Sequence, residues 1–170
     1  MLEKFKEDVK KIESSKEFKD LKKTCKNLIL ADGFILLEKQ NYDSGDYGDW
    51  QIDFFDKDSG CMFSFTFEDK KINVKKTTEI VKADEEVHKV NIKNLKISFE
   101  AILEKVERIR EKNYSNERPY KIIIIIQNRK KQDIWNITYL TANFKTLNLK
   151  ISAETGDLIE ESLKPLISFG

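Results

Sequence analysis

A period of two in the apolar residues constrains the fold of this chain more than any other feature. In "CMFSFTF", Phe63, Phe65 and Phe67 fall on one side of an extended strand, and smaller or polar side chains fall on the other. The stretches "DWQIDFF" and "LNLKI" alternate in the same way. Short alternating strands separated by turn residues are typical of antiparallel sheets with one buried face. The pattern therefore predicts an antiparallel meander.

Apolar residues at helical spacing predict the segments that cover this sheet. Ser14 or Ser15 can cap a second N-terminal helix, and Ser98 can cap a later helix that runs to about Lys112. The three stripes are Leu2, Phe5, Val9 and Ile12; Phe18, Leu21, Cys25 and Leu28; and Phe99, Ile102, Leu103, Val106 and Ile109. Because each stripe is one-sided, each helix needs a surface to lie on. We therefore predict an α+β fold, with amphipathic helices packed on an antiparallel meander sheet.

Two further segments carry specific structural expectations. The run "IIIII" at Ile122–Ile126 is short, continuous and β-branched, so it predicts a strand that is buried on both faces. The stretch "NYDSGDYG" at Asn41–Gly48 is polar and contains two glycines, so it predicts a loop.

The order of these elements suggests an internal repeat. Each half reads as a helix, a strand, a loop, a Trp-bearing strand and a two-strand hairpin. Trp50 and Trp135 lie 85 residues apart, which is half of the 170-residue chain. We therefore predict two helix-plus-sheet units, residues 1–94 and residues 95–170. Superposition of the two units should bring Trp50 close to the position of Trp135.

The second half also resembles a known domain family, the PepSY domain. That family has a helix introduced by an "I(S/T)…A" segment, then a Trp-bearing strand, then a strand that ends in "(I/V)xAxTGxx". The matching residues are Ile97, Ser98, Ala101, Trp135, Ile151, Ala153, Thr155, Gly156 and Leu158. The resemblance covers about 95–161. The first half departs from the motif, because it has "FEDKKIN" where the second half has "AETGDLI".

The resemblance implies a cystatin-like fold, here in two units of which the first is divergent. PepSY-like domains are often attached to proteases or exported proteins, and they have proposed roles in peptidase inhibition or protein–protein contact. The resemblance thus implies a non-enzymatic interaction or regulatory module with a protein or peptide partner.

The sequence lacks the combinations of residues that catalysis, metal binding or nucleotide binding usually require. His88 is the single histidine, and it lies in the charged segment "ADEEVHKV" between the halves, where we expect a solvated linker residue. The segment "DKDSG" opens like a calcium loop, but Cys61 and Phe67 occupy the positions that need Gly and an acid. No Gly-rich phosphate loop is present, and no pair of acids is singled out by an apolar setting. We predict no enzyme activity, no cofactor and no metal site.

Charge and leader signals bear on partners and location. The chain has 31 Lys and Arg against 30 Asp and Glu, so it lacks the basic excess of a dedicated nucleic-acid binder. The longest apolar run is too short to cross a membrane, and the first residues show no apolar core of a signal peptide. Two cysteines, Cys25 and Cys61, do not make a disulfide framework. We expect a cytoplasmic protein that binds neither nucleic acid nor membrane.

Exposed aromatic residues are the remaining lead to a site. Tyr42 and Tyr47 fall in a polar loop next to Trp50, a composition that suits protein recognition. Two alternatives remain open: these rings pack back on their own sheet, or the protein binds a small apolar ligand in a cavity between helix and sheet. The acidic stretch "SAETGDLIEE", by contrast, predicts a hairpin turn at Thr155-Gly156 between core residues Ile151 and Leu158.

Overall fold

A computed structural model describes residues 1–69, 71–78 and 86–166 of the chain. The helices are α1 (Leu2–Ser14), α2 (Lys16–Thr24), α3 (Lys39–Ser44) and α4 (Phe99–Asn113). The strands are β1 (Leu28–Glu38), β2 (Gln51–Asp56), β3 (Cys61–Glu68), β4 (Lys71–Thr77), β5 (Pro119–Arg129), β6 (Gln132–Thr141), β7 (Lys145–Ser152) and β8 (Leu158–Pro165). No helix of the described residues is long and apolar enough to cross a membrane.

All eight strands belong to one sheet, in the order β4-β3-β2-β1-β5-β6-β7-β8. Every neighbouring pair is antiparallel. The first four strands form one meander and the last four form another, and β1 and β5 join them over the register from Asp32–Gln127 to Glu38–Lys121. The predicted α+β class and antiparallel sheet are confirmed, and the two halves share a single continuous sheet.

Burial alternates along the central strands because the helices of the described residues cover one side of the sheet. Ile122, Ile124 and Ile126 are fully buried, whereas Ile123 and Ile125 between them are only partly buried. The expectation that the isoleucine run is buried on both faces is therefore wrong. The run belongs to an antiparallel sheet with one uncovered side, where alternate isoleucines remain partly exposed to solvent.

Aromatic rings fill the interface between the helices and the sheet. The ring centroids of Trp50 and Trp135 lie 6.4 Å apart, and Phe99 of α4 packs edge-on against both rings. Phe5 of α1 contacts Trp50 at 5.2 Å in a T-shaped arrangement. A Cβ atom at Gly33 would lie 2.4 Å from the Phe5 ring, so glycine at this position lets α1 approach β1 closely.

The N-terminal ends of α2 and α4 follow the serines that the sequence indicates. The Ser15 hydroxyl accepts a hydrogen bond from the Phe18 amide at 3.1 Å, and the Ser98 hydroxyl accepts one from the Ala101 amide at 3.2 Å. These bonds satisfy amides that have no partner within the helix. The predicted helical stripe through Cys25 and Leu28 is wrong, because α2 ends at Thr24 and Leu28 begins β1. The predicted loop at 41–48 differs from the structure, because its first residues belong to the six-residue α3, which ends at Gly45 in the left-handed conformation.

The segment that links the halves closes the end of the β1–β5 pair. The Val90 amide donates to the Leu30 carbonyl at 2.9 Å, and His88 forms an isolated bridge with Asn128. Asp133, which is almost fully buried, accepts hydrogen bonds from the Asn91 amide and from the Asn94 and Asn128 side chains. Because one carboxylate holds both the linker and β5, it fixes the linker against the sheet.

The acidic stretch near the end of the chain is the predicted turn. The Gly156 amide donates to the Ser152 carbonyl at 2.9 Å, and Gly156 has φ +77°, which glycine tolerates best. β7 ends at Ser152 and β8 begins at Leu158. Leu158 is 38% exposed, so its expected place in the core is wrong: it lies on an edge strand that the helices do not cover.

Candidate interaction surface

The uncovered side of the sheet has an apolar centre. Phe34 pairs with Ile125 and Leu36 pairs with Ile123 across the β1–β5 junction. All four residues alternate with buried neighbours, so their side chains lie on the side without helices. Leu36 is 50% exposed. The centre of this side therefore carries an apolar patch, which we call the central patch (Phe34, Leu36, Ile123 and Ile125).

A groove leads from the central patch across the first half of the sheet. One depression of about 270 Å³ lies beside Phe34 and Leu36, and a wider one of about 530 Å³ lies over β2, β3 and β4. The two depressions share Gln51, Thr66 and Glu68, so they form one continuous channel. We call this channel the strand-crossing groove. Its outer part is lined by Gln51, Ser64, Thr66, Glu68, Asn73, Val74, Lys75 and Thr77.

The groove ends at β4, the strand at one edge of the sheet. β4 carries Lys71, Lys75 and Lys76 and no acidic residue. Lys76 lies over the ring of Phe63, with its Nζ 5.9 Å from the ring centroid. Within the described parts of the chain, none of the three lysines forms an ion pair. The edge is thus a short basic strand, with Glu68 of β3 opposite Lys71 as the acidic residue in its register.

The same side of the second half is bonded to itself. The Asn148 side chain donates to Asn136 at 2.6 Å and to Thr138 at 2.8 Å, which links β7 to β6. Lys150 pairs with Glu160 at 2.8 Å, which links β7 to β8. These contacts satisfy polar groups that an external partner would otherwise bind. The side chains of Asn136, Thr138 and Asn148 are therefore partnered within the second half.

Two carboxylates face each other on the uncovered side, at the other end of β1 and β2. Asp32 and Asp53 are paired in register on neighbouring strands. Burial and the negative charge of Asp53 raise the pKa of Asp32 to about 8, and burial also raises the pKa of Asp53. Gln51 donates to both carboxylate oxygens of Asp53 at 3.1 Å. The pair therefore holds a proton at neutral pH.

Asp32 also lines a pocket of about 270 Å³ beside the linker. His88 and Gln127 lie in the same wall, so the linker histidine is less isolated than the sequence indicates. A carboxylic acid that titrates near neutral pH can donate or accept a proton in catalysis. A group of three or more His, Cys, Asp or Glu arranged to hold a metal is absent from the described residues.

The three residues predicted to contact a protein lie together on the other side of the sheet. Trp50 is 1% exposed, and its indole Nε1 donates to the Met1 carbonyl at 3.2 Å. The Tyr47 ring packs on Phe99 at 4.9 Å, and Tyr42 contacts Tyr47 at 6.3 Å. In this structure the rings pack against the core, so a protein contact through Trp50 would require the loop to open. Their role in partner binding stays a prediction.

Tyr42 also reaches a buried polar network. The Tyr139 hydroxyl donates to Glu107 at 3.1 Å, and Glu107 accepts from Arg110 on the same helix. Burial raises the pKa of Tyr42 to about 12, so the phenol stays neutral at physiological pH. A side-chain hydrogen bond joins Tyr42 of α3 to Tyr139 of β6, so the network links the first half to the second.

The sequence contains a signal for the Asp32–Asp53 pair. Asp32 interrupts "LILADGFILL", and Asp53 lies between the apolar residues Ile52 and Phe54. Burial of a charged carboxylate in such a setting lowers the free energy of unfolding unless the carboxylate is paired or protonated. The two acids meet only because β1 contains an irregularity between Leu30 and Asp32, and this shift sets the register.

Comparison with known proteins adds one structural neighbour. No family model matches the chain, and no curated protein matches it. The chain is similar to a solved structure from Clostridium difficile 630 that is provisionally described as a lipoprotein, with 10% sequence identity and a TM-score of 0.49. The match covers 87% of this chain and 90% of the neighbour.

Proposed function

We propose that this protein is a non-enzymatic interaction module that binds an extended peptide segment of a protein partner on the uncovered side of its sheet. The observation that carries the proposal is the strand-crossing groove, which runs from the exposed Leu36 to the basic edge strand β4. Exposed apolar surface beside an unpaired strand edge is a common setting for peptide recognition.

The proposal includes two cystatin-like, PepSY-related units, residues 1–94 and 95–170. The strand order supports this division. From the central β1–β5 pair, β2, β3 and β4 follow in sequence order on one side, and β6, β7 and β8 follow in sequence order on the other. An offset of 85 residues matches Trp50 with Trp135, and it also matches the buried pairs Ile52 with Ile137 and Phe54 with Tyr139. Interaction roles proposed for PepSY-like domains agree with the binding function that we infer.

A peptide selection tests the proposed function. Peptides selected from a random displayed library against the purified protein should bind the wild type and lose at least about tenfold in affinity for Thr66→Arg, because a long charged side chain would fill the groove. Thr146→Arg is the matched control, since Thr146 lies on the third strand of the second half and pairs with Leu140 and Lys164. Selected peptides that bind both variants equally would contradict the assignment to the groove.

A second candidate function rests on a crevice on the helix side. Phe18, Leu30 and Phe54 form the floor of a crevice of about 300 Å³, and Lys22, Lys89 and Lys93 lie in its wall. An apolar floor with a basic rim favours a small apolar ligand that carries a negative charge. This site is the alternative in which the protein binds a small ligand between helix and sheet.

A ligand titration separates this candidate from the first. Lauric acid, added as a probe and followed by tryptophan fluorescence, should bind the wild type if the crevice is a ligand site. Leu28→Trp, which adds bulk to the crevice wall, should abolish that binding and leave the library-selected peptides unaffected. Lauric acid binding that survives Leu28→Trp would exclude the crevice as its site.

A further inference from the structure

The outer edge of β4 is open for pairing. β4 is the first strand in the sheet order, and in the part of the chain that the structure describes it pairs only with β3. In an edge strand about half of the backbone N–H and C=O groups point away from the sheet. An extended segment of another molecule can bond to such groups and extend the sheet by one strand.

The two sides of β4 differ in chemistry. Lys71 and Lys75 pair with Glu68 and Ser64 of β3, so they lie on the uncovered side. Val74 pairs with the buried Phe65, so it lies on the helix side, where it is 41% exposed. Lys76 pairs with the buried Phe63, so it also lies on the helix side. Successive residues of an added strand would therefore meet Lys71 and Lys75 on one side, and Val74 flanked by Lys76 on the other.

We propose that the edge of β4 binds an extended peptide in which acidic and apolar residues alternate, as a ninth strand of the sheet. Acidic side chains of the peptide lie beside Lys71 and Lys75, and apolar side chains cover Val74. Opposite charges on neighbouring strands attract each other, and burial of Val74 and its new neighbour removes apolar surface from water. The inference rests on the proposed function and specifies its partner.

The other edge of the sheet does not offer the same match. β8 carries Glu160, Glu161 and Lys164, so its charge is mixed. Glu160 is already paired with Lys150. Exposed lysines on an edge strand also have a purely protective role in many proteins, where they prevent sheets from joining edge to edge. The lysines on β4 can therefore serve to bind an acidic peptide or to keep other sheets away, and the experiment below distinguishes these two roles.

The probe is a fluorescent peptide of about eight residues that alternates glutamate and valine, a length that matches one strand. Two control peptides accompany it: one with lysine in place of glutamate, and one with the same residues in two blocks. Fluorescence anisotropy should show that the alternating acidic peptide binds the wild type more tightly than either control. Its affinity should fall with added salt, because the contacts are partly ionic and exposed.

Charge reversal on the protein tests the location. K71E/K75E should weaken binding of the acidic peptide roughly tenfold and should favour the lysine peptide instead, since two attractions become repulsions. K164E on β8 is the matched control and should leave the affinity unchanged within about twofold. Binding should also slow hydrogen exchange at β4 amides, which simple ionic attraction would not do.

Three results would overturn the inference. Equal binding of the block peptide would mean ionic attraction without strand pairing. Self-association of K71E/K75E, with no binding of the acidic peptide to the wild type, would mean that the lysines only protect the edge. The third result is failure of the Glu/Val peptide to bind while Thr66→Arg still weakens binding of the library-selected peptides. That result would contradict this inference and leave the proposed function standing. If the library also yields no groove-dependent peptide, both fail.

Discussion

On the uncovered side of the sheet, the first four strands leave a groove and unpaired lysines, whereas the last four strands bond their polar side chains to one another. Thr66 lines an open channel in the first half. In the second half, Asn148 holds Asn136 and Thr138 at 2.6 and 2.8 Å, and Lys150 holds Glu160. The same arrangement of strands therefore carries two different surfaces, one already satisfied and one available.

On the helix side, by contrast, each half contributes a buried tryptophan to the core. Trp50 and Trp135 are both almost fully buried and contact each other and Phe99. Large buried side chains decide stability, whereas unpaired polar groups at the surface decide what can bind. Binding in this protein is therefore best sought in the first half, and stability is best tested at the tryptophans.

The largest effect is expected from truncation of the tryptophans. Trp50→Ala and Trp135→Ala should each lower the free energy of unfolding by about 3–5 kcal/mol, because each removes a buried ring and leaves a cavity. The double variant should cost less than the sum, since the rings are in contact. Urea unfolding followed by circular dichroism measures both quantities.

The control for these variants is an exposed aromatic residue. Phe144 is 72% exposed, so Phe144→Ala should change the free energy of unfolding by less than about 0.5 kcal/mol. If one Trp→Ala variant loses less than about 1 kcal/mol of unfolding free energy and the other loses more, the two tryptophans do not contribute equally to the stability of the core.

Much of this fold can be predicted from local patterns. The alternating phenylalanines of β3, the caps at Ser15 and Ser98 and the turn at Gly156 all depend on nearby residues, and the structure contains each of them. The loop at 41–48 was harder to predict, because α3 has the composition of a turn and stays together through its contacts with β1 and β5.

The surface features could not be predicted, because they depend on which strands are neighbours. The exposure of Ile123 and Ile125 follows from the placement of every helix on one side of the sheet. The Asp32–Asp53 pair depends on an irregularity in β1 that shifts the register. The order of the strands in the sheet makes β4 an edge. The three lysines of Lys71–Thr77 are a composition that edge strands often have, but they do not identify which edge.

A smaller change in stability is expected from the Asp32–Asp53 pair. The second half lacks this pair, because Thr138 stands at the position that corresponds to Asp53 under the offset of 85 residues. The folded-state pKa of Asp32, about 8, lies above the value near 4 that applies in the unfolded chain. The folded state therefore binds more protons between these values, and the free energy of unfolding should fall as pH rises from about 4 to about 8.

Asp32→Asn removes this dependence. Asparagine cannot ionise and can still donate a hydrogen bond to Asp53, so the variant should be more stable than the wild type by about 2 kcal/mol at pH 8. Urea unfolding at a series of pH values measures the difference. Glu7→Gln, an exposed change on α1, is the control and should preserve the wild-type slope. A slope unchanged in Asp32→Asn would show that the pair does not share a proton.

The smallest expected effect separates the two tryptophans themselves. The Trp50 indole donates to the Met1 carbonyl at 3.2 Å, whereas the Trp135 Nε1 has no hydrogen-bond partner in the described part of the protein. Trp50→Phe and Trp135→Phe remove the same ring volume, but only the first loses a hydrogen bond. Trp50→Phe should therefore cost about 1 kcal/mol more than Trp135→Phe in urea unfolding. Equal costs, or a larger cost at Trp135, would mean that packing alone distinguishes the two sites.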